Sequence, residues 1–308
     1  MEARTFSAIL LFILQVLLLQ SVQALNVHER RSQDIMSLNG IAWHESCNSP
    51  NPQNNQETKR AAVERAWAGA LELSSSAWTR FETVTWPTIR QTELNSIAQH
   101  HINIHDPGYV LLFALDSSED GREEIESILN NLHMRANANL GENNRPIDGY
   151  IQIRCSDVYV LRGTDECEDA SAATESYEHQ NTGVINFCPD FWKRPRFDQL
   201  KSGDPMQVLE FYHNPDYAGT DAKTVVHELS HIWWIGDTNS HVPEVYGLVN
   251  CAEEAWMCDD PVPDNRHVVQ NADTYAFYAE FGYWVEKGIH NLWPPTERNP
   301  VRFPVRNY

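Results

Sequence analysis

The sequence predicts an α+β fold, helices packed on a small sheet, and three observations carry that expectation. The 308 residues are enough for one large domain, and a 42% hydrophobic share is enough to bury a sizeable core. Short apolar runs bounded by polar residues mark buried strands. Apolar positions spaced three and four apart mark helices in the same stretch of chain.

Taken in order, the first element is a leader. Arg4 precedes an apolar run, Ile9 to Leu19, broken only by Gln15, and Val22 and Ala24 give the small-residue pattern for cleavage after Ala24. Residues 1–24 therefore read as a signal peptide, and the run is short for a membrane span. Residues 25–60 are polar, with Asn, Gln and Pro concentrated from Asn48 onward, and read as a linker or pro-segment with a dibasic Lys59-Arg60 at its end. The main domain is expected over 61–290. Its helices fall at Ala61 to Leu73, Glu93 to His100, Glu123 to Met134, Thr224 to Trp234 and Thr274 to Lys287. Its strands fall at Tyr109 to Leu115, Tyr150 to Arg154, Val158 to Leu161 and Gly183 to Cys188. The tail, 291–308, holds Pro294, Pro295, Pro300 and Pro304 and is expected to be irregular.

Composition narrows the partners. A formal net charge of −20 repels nucleic acid and anionic membrane, so neither is expected as a partner. Six cysteines, Cys47, Cys155, Cys167, Cys188, Cys251 and Cys258, follow the leader. An even number in an oxidising compartment suggests three disulfides, with Cys251 and Cys258 a plausible pair. No Asn-x-Ser/Thr sequon is present.

The chemistry is carried by His227-Glu228-Leu229-Ser230-His231. Two histidines four apart lie on one helical face, one turn apart, and two neutral imidazoles so placed can share one zinc ion. Glu228, beside them, suits a general base that takes a proton from water activated by the metal. Val225-Val226 before the motif and Ile232-Trp233-Trp234 after it suit a buried active-site helix. A zinc site needs a third protein ligand, and Asp237, His241 and Glu244 all follow in a short loop. Asp237 stands six residues after His231, as in the metzincins, but Trp234 occupies the place of that group's glycine.

The wider pattern resembles the aspzincins, the deuterolysin-like and lysine-specific zinc metalloendopeptidases. The residues that carry the resemblance run in order: Ile185-Asn-Phe-Cys-Pro-Asp-Phe-Trp192, Gly219-Thr-Asp-Ala-Lys223, the zinc motif, Tyr246-Gly247 and Asn271-Ala272-Asp273-Thr274-Tyr275. They span roughly residues 183–287. The resemblance implies a zincin-like metallopeptidase domain with its HExxH helix beneath a small sheet. It also implies one Zn²⁺, a secreted endopeptidase, and protein or peptide substrates. It implies that Tyr246 donates to the oxyanion; the alternative is a core tyrosine. It places Asp273 at the substrate pocket or behind the metal ligands; the alternative is a helix cap. The family's ligand Asp, three before the Tyr, is replaced here by Pro243. Spacing from His231 and the fragment Thr238-Asn-Ser-His241 then put His241 first as third ligand, Asp237 second and Glu244 third. The lysine-preferring branch has a further carboxylate where this chain has Ala276. The substrate-binding edge strand is expected at Val184 to Cys188. Rival readings are a secreted zinc-binding protein without activity and a surface antigen on the same scaffold.

Overall fold

A computed structural model describes residues 41–81, 112–113, 119–136, 150–161, 163–168, 170–178, 182–214, 218–238, 243–257 and 269–289. The leader, the helix expected at Glu93 to His100 and the proline-rich tail lie outside the described residues, as do His241 and Cys258. In chain order the elements are strand β1 (Ile41–Trp43), the hairpin β2 (Pro50–Asn51) and β3 (Asn54–Thr58), and helices α1 (Lys59–Arg80) and α2 (Glu119–Ala136). Then come β4 (Tyr150–Arg154), the hairpin β5 (Val160–Leu161) and β6 (Thr164–Asp165), β7 (Ala172–Tyr177) and β8 (Thr182–Phe187). Helices α3 (Phe197–Ser202), α4 (Pro205–Tyr212), α5 (Asp221–Ser230), α6 (Leu248–Met257) and α7 (Ala272–Glu286) complete the described chain. This is a mixed α and β protein.

Among the described residues one sheet has four strands in the order β1-β4-β8-β7. β1, β4 and β8 run parallel, and β7 is antiparallel to β8 in continuous register from Ala172 opposite Phe187 to Tyr177 opposite Thr182. β8 is therefore an interior strand, buried from Gly183 to Phe187, and the terminal strand is β7. This corrects the expected edge at Val184 to Cys188. A short apolar run, interrupted only by the buried Asn186, signals burial on both faces, which suits an inner strand better than an edge.

The part of the polar stretch that the structure describes, 41–60, packs with the sheet and α1. From Ile41 it supplies β1, which pairs with β4 at the far edge of the sheet. Cys47 is bonded to Cys155, at the end of β4. Lys59, half of the dibasic pair, is buried at the first turn of α1: its Nζ donates to the Cys155 carbonyl at 3.1 Å and pairs with Asp157 at 2.8 Å. A protease that needs an extended, exposed dibasic site has no access to it there. The second disulfide joins Cys167, after β6, to Cys188, after β8.

Helix α1 starts where Thr58 Oγ1 accepts the Ala61 N–H, an N-cap, and buries Ala62, Val63, Ala66, Trp67, Ala70 and Leu73. Gly69 lets it approach α5: a Cβ there would lie 2.8 Å from both Ala222 Cβ and the Phe197 ring. Helix α7 is buried on every side from Ala272 to Trp284, so it reads as hydrophobic all round. Leu112 and Phe113, expected in a strand, are helical and buried, and Phe113 packs on Tyr275 and Tyr278 of α7. A short apolar run does not by itself distinguish a buried strand from a buried helical turn. Among the described residues no helix is long and apolar enough to cross a membrane.

Candidate metal centre

Helix α5 carries the motif, and every residue of it is buried against α1, α7 and β7. Thr220 caps its start by accepting the Lys223 N–H. Asp221 follows, and burial pushes its carboxyl up to about 6, although the Phe197 N–H bond and the Arg65 charge pull the other way. The helix ends at Ser230, four residues short of the expected Trp234. The chain reverses there: a Cβ at Gly236 would lie 2.5 Å from the Ser230 carbonyl oxygen, and Asp237 is left-handed at φ 50°. The reversal lays Thr238 back on the helix end, with its N–H on the Ser230 carbonyl at 3.1 Å.

That fold-back orients the first imidazole. His231 Nδ1 faces the Thr238 carbonyl at 3.1 Å, which makes it the protonated nitrogen and leaves Nε2 with its lone pair. His227 is oriented by a carboxylate instead: its Nδ1 is 2.7 Å from Asp273 Oδ1. The two Nε2 atoms meet 3.2 Å apart, and Glu244 Oε1 lies 3.0 Å from that of His227 and 3.4 Å from that of His231. Together His227, His231 and Glu244 form a group that can hold a metal ion.

The fit to a metal rests on two features. Ligand atoms about 2.0–2.1 Å from a tetrahedral zinc stand roughly 3.3–3.4 Å from one another, and the three separations here are of that size. Glu244 Oε1 is also buried with no hydrogen bond of acceptable geometry, although two imidazole nitrogens lie within reach of it. A buried carboxylate oxygen in that position is costly unless a cation faces it. Without a metal the cluster holds protons. Burial opposes the charged imidazolium of His227, but the Glu244 and Asp273 carboxylates outweigh it and push its pKa up to about 10. Burial likewise opposes the charge on Glu244, yet the two histidines hold it well below the usual carboxylate range. A divalent cation binding here displaces that proton.

The surrounding residues fall into place around this triangle. Glu228 is buried, its Oε2 accepts the Thr174 hydroxyl at 2.7 Å, and its Oε1 is 3.9 Å from His227 Nε2, too far to share the ligand position. Thr174 and Ser176 alternate on one face of β7 and both bond to the helix end, Ser176 Oγ taking the Trp233 N–H at 2.9 Å. Tyr246 is 59% exposed, so it is not a core tyrosine; its ring stacks on His227 at 6.0 Å and its hydroxyl donates to Glu244 Oε2 at 2.5 Å. Asp273 is not the cap of α7, a place held by Asn271. It is a buried hub, pairing with Lys223 and His227 through Oδ1 and accepting the Gly247 N–H through Oδ2 at 2.7 Å. Asp273 is thus buried behind His227, its oxygens held by Lys223, His227 and Gly247.

The structure thus brings together His227, Glu228, His231, Tyr246 and Asp273. It adds Glu244, the lowest-ranked of the three ligand candidates. Asp237 is not part of the cluster, and His241 lies outside the described residues. Thr174, Lys223 and Thr238 also serve the site; Lys223 and Thr238 stand in the sequence motifs without an assigned role, and Thr174 stands in none. Lys223 stands four before His227, on the same helical face, and that spacing was the available signal. Contrary to the expected pairing with Cys258, Cys251 is a buried free thiol. Comparison with known proteins returns no matching family model and no curated protein of significant similarity.

Proposed function

We propose that this chain is a secreted zinc-dependent endopeptidase, with His227, His231 and Glu244 as the ligands and Glu228 as general base. The observation that carries it is the triangle of His227 Nε2, His231 Nε2 and Glu244 Oε1, with the Glu228 carboxylate beside it. Two imidazoles and one carboxylate are a ligand set common to hydrolytic zinc sites and leave a position open. Zinc in that set supplies Lewis acidity toward a scissile carbonyl and acidifies a water.

The chain's own groups supply the rest. Thr174 holds one oxygen of Glu228, which leaves the other to accept a proton and pass it to the leaving amine. Tyr246 offers a hydroxyl at the rim of the site, where it can turn from Glu244 to the developing oxyanion. β7 is the terminal strand beside α5 and can pair with an extended peptide, which places a peptide bond near Glu228. The leader and the two disulfides favour an oxidising, extracellular setting.

The test is zinc content together with hydrolysis of an unfolded protein. Wild type should bind one zinc and cleave. Glu228→Gln should keep the zinc and lose activity by about 10³-fold or more, as expected for a lost base. Activity within tenfold of wild type removes Glu228 from the mechanism. One zinc without hydrolysis leaves the non-catalytic binding protein, and no zinc at all defeats both readings.

A further inference from the structure

We propose that Asn271 is the positioning residue that makes Glu244 the third ligand; this rests on the metal site above. Asn271 is the N-cap residue of α7, and asparagine there usually caps the helix with its own side chain. Here it makes no side-chain cap bond. The carboxamide instead reaches across to the loop that carries Glu244. Oδ1 accepts the Val245 N–H at 3.0 Å, and Nδ2 donates to the Val245 carbonyl at 3.0 Å. One side chain therefore grips both polar atoms of a single residue, as a neighbouring strand does.

The grip falls between the two residues that matter. Val245 lies between Glu244 and Tyr246, and the Tyr246 hydroxyl meets Glu244 Oε2, so the two side chains share one side of the loop. Two positions on, Gly247 turns with φ +89° and gives its N–H to Asp273. Asn271 and Asp273, two residues apart at the start of α7, thus pin three backbone polar groups of the loop, two at Val245 and one at Gly247. Asn271 is itself held: it is buried, and Nδ2 also donates to Thr274 Oγ1 at 3.0 Å and lies 3.3 Å from Cys251 Sγ. Segment 243–246 has no helix or strand ladder of its own to fix it. Its register against the two histidines is set from outside, and Asn271 is the residue that sets it at Val245. Asp273 serves His227 as well as the loop; Asn271 serves the loop without touching either histidine or Glu244.

The test is a double-mutant cycle on zinc affinity in the full secreted chain, measured by competition with a chelator. Asn271→Ser keeps a good cap residue but is too short to bridge to Val245; Asn271→Ala is the second variant should the first fold poorly. The melting temperature with excess chelator confirms the fold. Asn271→Ser should weaken zinc binding about 10- to 100-fold, the usual range for groups that orient a ligand. It should also change the visible spectrum of the cobalt-substituted protein. In a Glu244→Gln background the same change should cost less than about threefold, because the ligand it positions is already gone. An equal loss in both backgrounds, or unchanged affinity in the single variant, overturns the assignment. Equal zinc affinity of wild type and Glu244→Gln defeats the ligand reading instead, whatever Asn271 does.

Discussion

The two walls of the site are built by different means. On the sheet side, Thr174 and Ser176 belong to β7, which is zipped to β8 along six paired residues, and β8 is followed by Cys188, bonded to Cys167. On the loop side, Glu244 to Gly247 have no ladder, and Cys251, the nearby thiol on α6, is free. Their place is set by the carboxamide of Asn271 and the carboxylate of Asp273. The sheet wall presents Thr174, which holds Glu228; the loop wall presents Glu244, the third member of the group that can hold a metal. A backbone ladder with covalent staples spreads its stability over many bonds, so no single side chain decides its position. A loop held by two side chains concentrates the decision in them. Metal affinity should therefore respond sharply to changes in the loop wall and weakly to changes in the sheet wall.

The largest effect on stability should come from the staples. Replacing Cys47 and Cys155 together by Ser opens a link spanning 108 residues. The chain-entropy cost for a closed loop of that size is about 4–5 kcal/mol, and measured losses for native disulfides run about 2–5 kcal/mol. Denaturant unfolding should show a loss in that range, while zinc affinity of the still-folded protein changes less than about threefold. A large drop in affinity with intact folding would break the comparison, since it would tie the ligand geometry to the distant staple.

A smaller effect should come from the start of the helix that both walls share. Asp221 is raised to about 6 in the folded chain, chiefly by burial, from an ordinary value of 3.8. The folded state therefore holds this proton more tightly than the unfolded state. The stabilising contribution is present at acid pH and is lost as pH rises from about 4 through about 6. Asp221→Asn keeps an oxygen for the Phe197 and Ala222 N–H groups and removes the titration. Relative to wild type it should gain on the order of 2–3 kcal/mol between pH 4 and pH 7 and level off above. A difference independent of pH would show that Asp221 does not carry this proton.

The smallest effect should come from Cys251. Its thiol is buried and forms no disulfide, and burial raises its pKa, so it stays protonated and inert at neutral pH. Cys251→Ala should cost about 1 kcal/mol, the scale of a lost small buried group, and, because the thiol touches Asn271 Nδ2 at 3.3 Å and the Val245 carbonyl at 3.4 Å, should weaken zinc binding less than Asn271→Ser does. The Cys251 thiol should become alkylatable only on unfolding. Its absence after unfolding under alkylation would mean that Cys251 is bonded, and the loop wall would then have a staple of its own.

Local pattern made much of this protein legible in advance. The helices around 61–73, 123–134 and 274–287 follow from apolar spacing, and observed α1, α2 and α7 cover them. The strands β4 and β8 follow from short apolar runs. His227, Glu228 and His231 follow from helical geometry alone, because residues four apart on a helix must share a face. Asp273 was legible as a group behind the ligands only through its place in an ordered motif. What the pattern misjudged depended on partners distant in sequence. Residues 41–60 are polar, yet they join the domain because β4 and Cys155 receive them, more than 90 residues further on. β8 is interior because β7 pairs on its other side, and no single strand reveals its neighbours.

The sequence by itself determined the two imidazoles one turn apart, Glu228 beside them and the burial of the helix whose C-cap is His231, since each depends on one repeating local geometry. The third ligand is different in kind. Asp237, His241 and Glu244 are all capable donors within one short loop, and nothing in their spacing ranks them by distance to a point in space. Among the described residues, which do not include His241, the tertiary structure brings Glu244 and not Asp237 to the two imidazoles. The chain reverses at Gly236, turns at Gly247, and is gripped at Val245 by Asn271, so that Glu244 Oε1 arrives 3.0 and 3.4 Å from the two imidazole nitrogens. A loop without its own hydrogen-bond ladder takes its shape from whatever it packs against, and here that is a helix that begins only at Ala272.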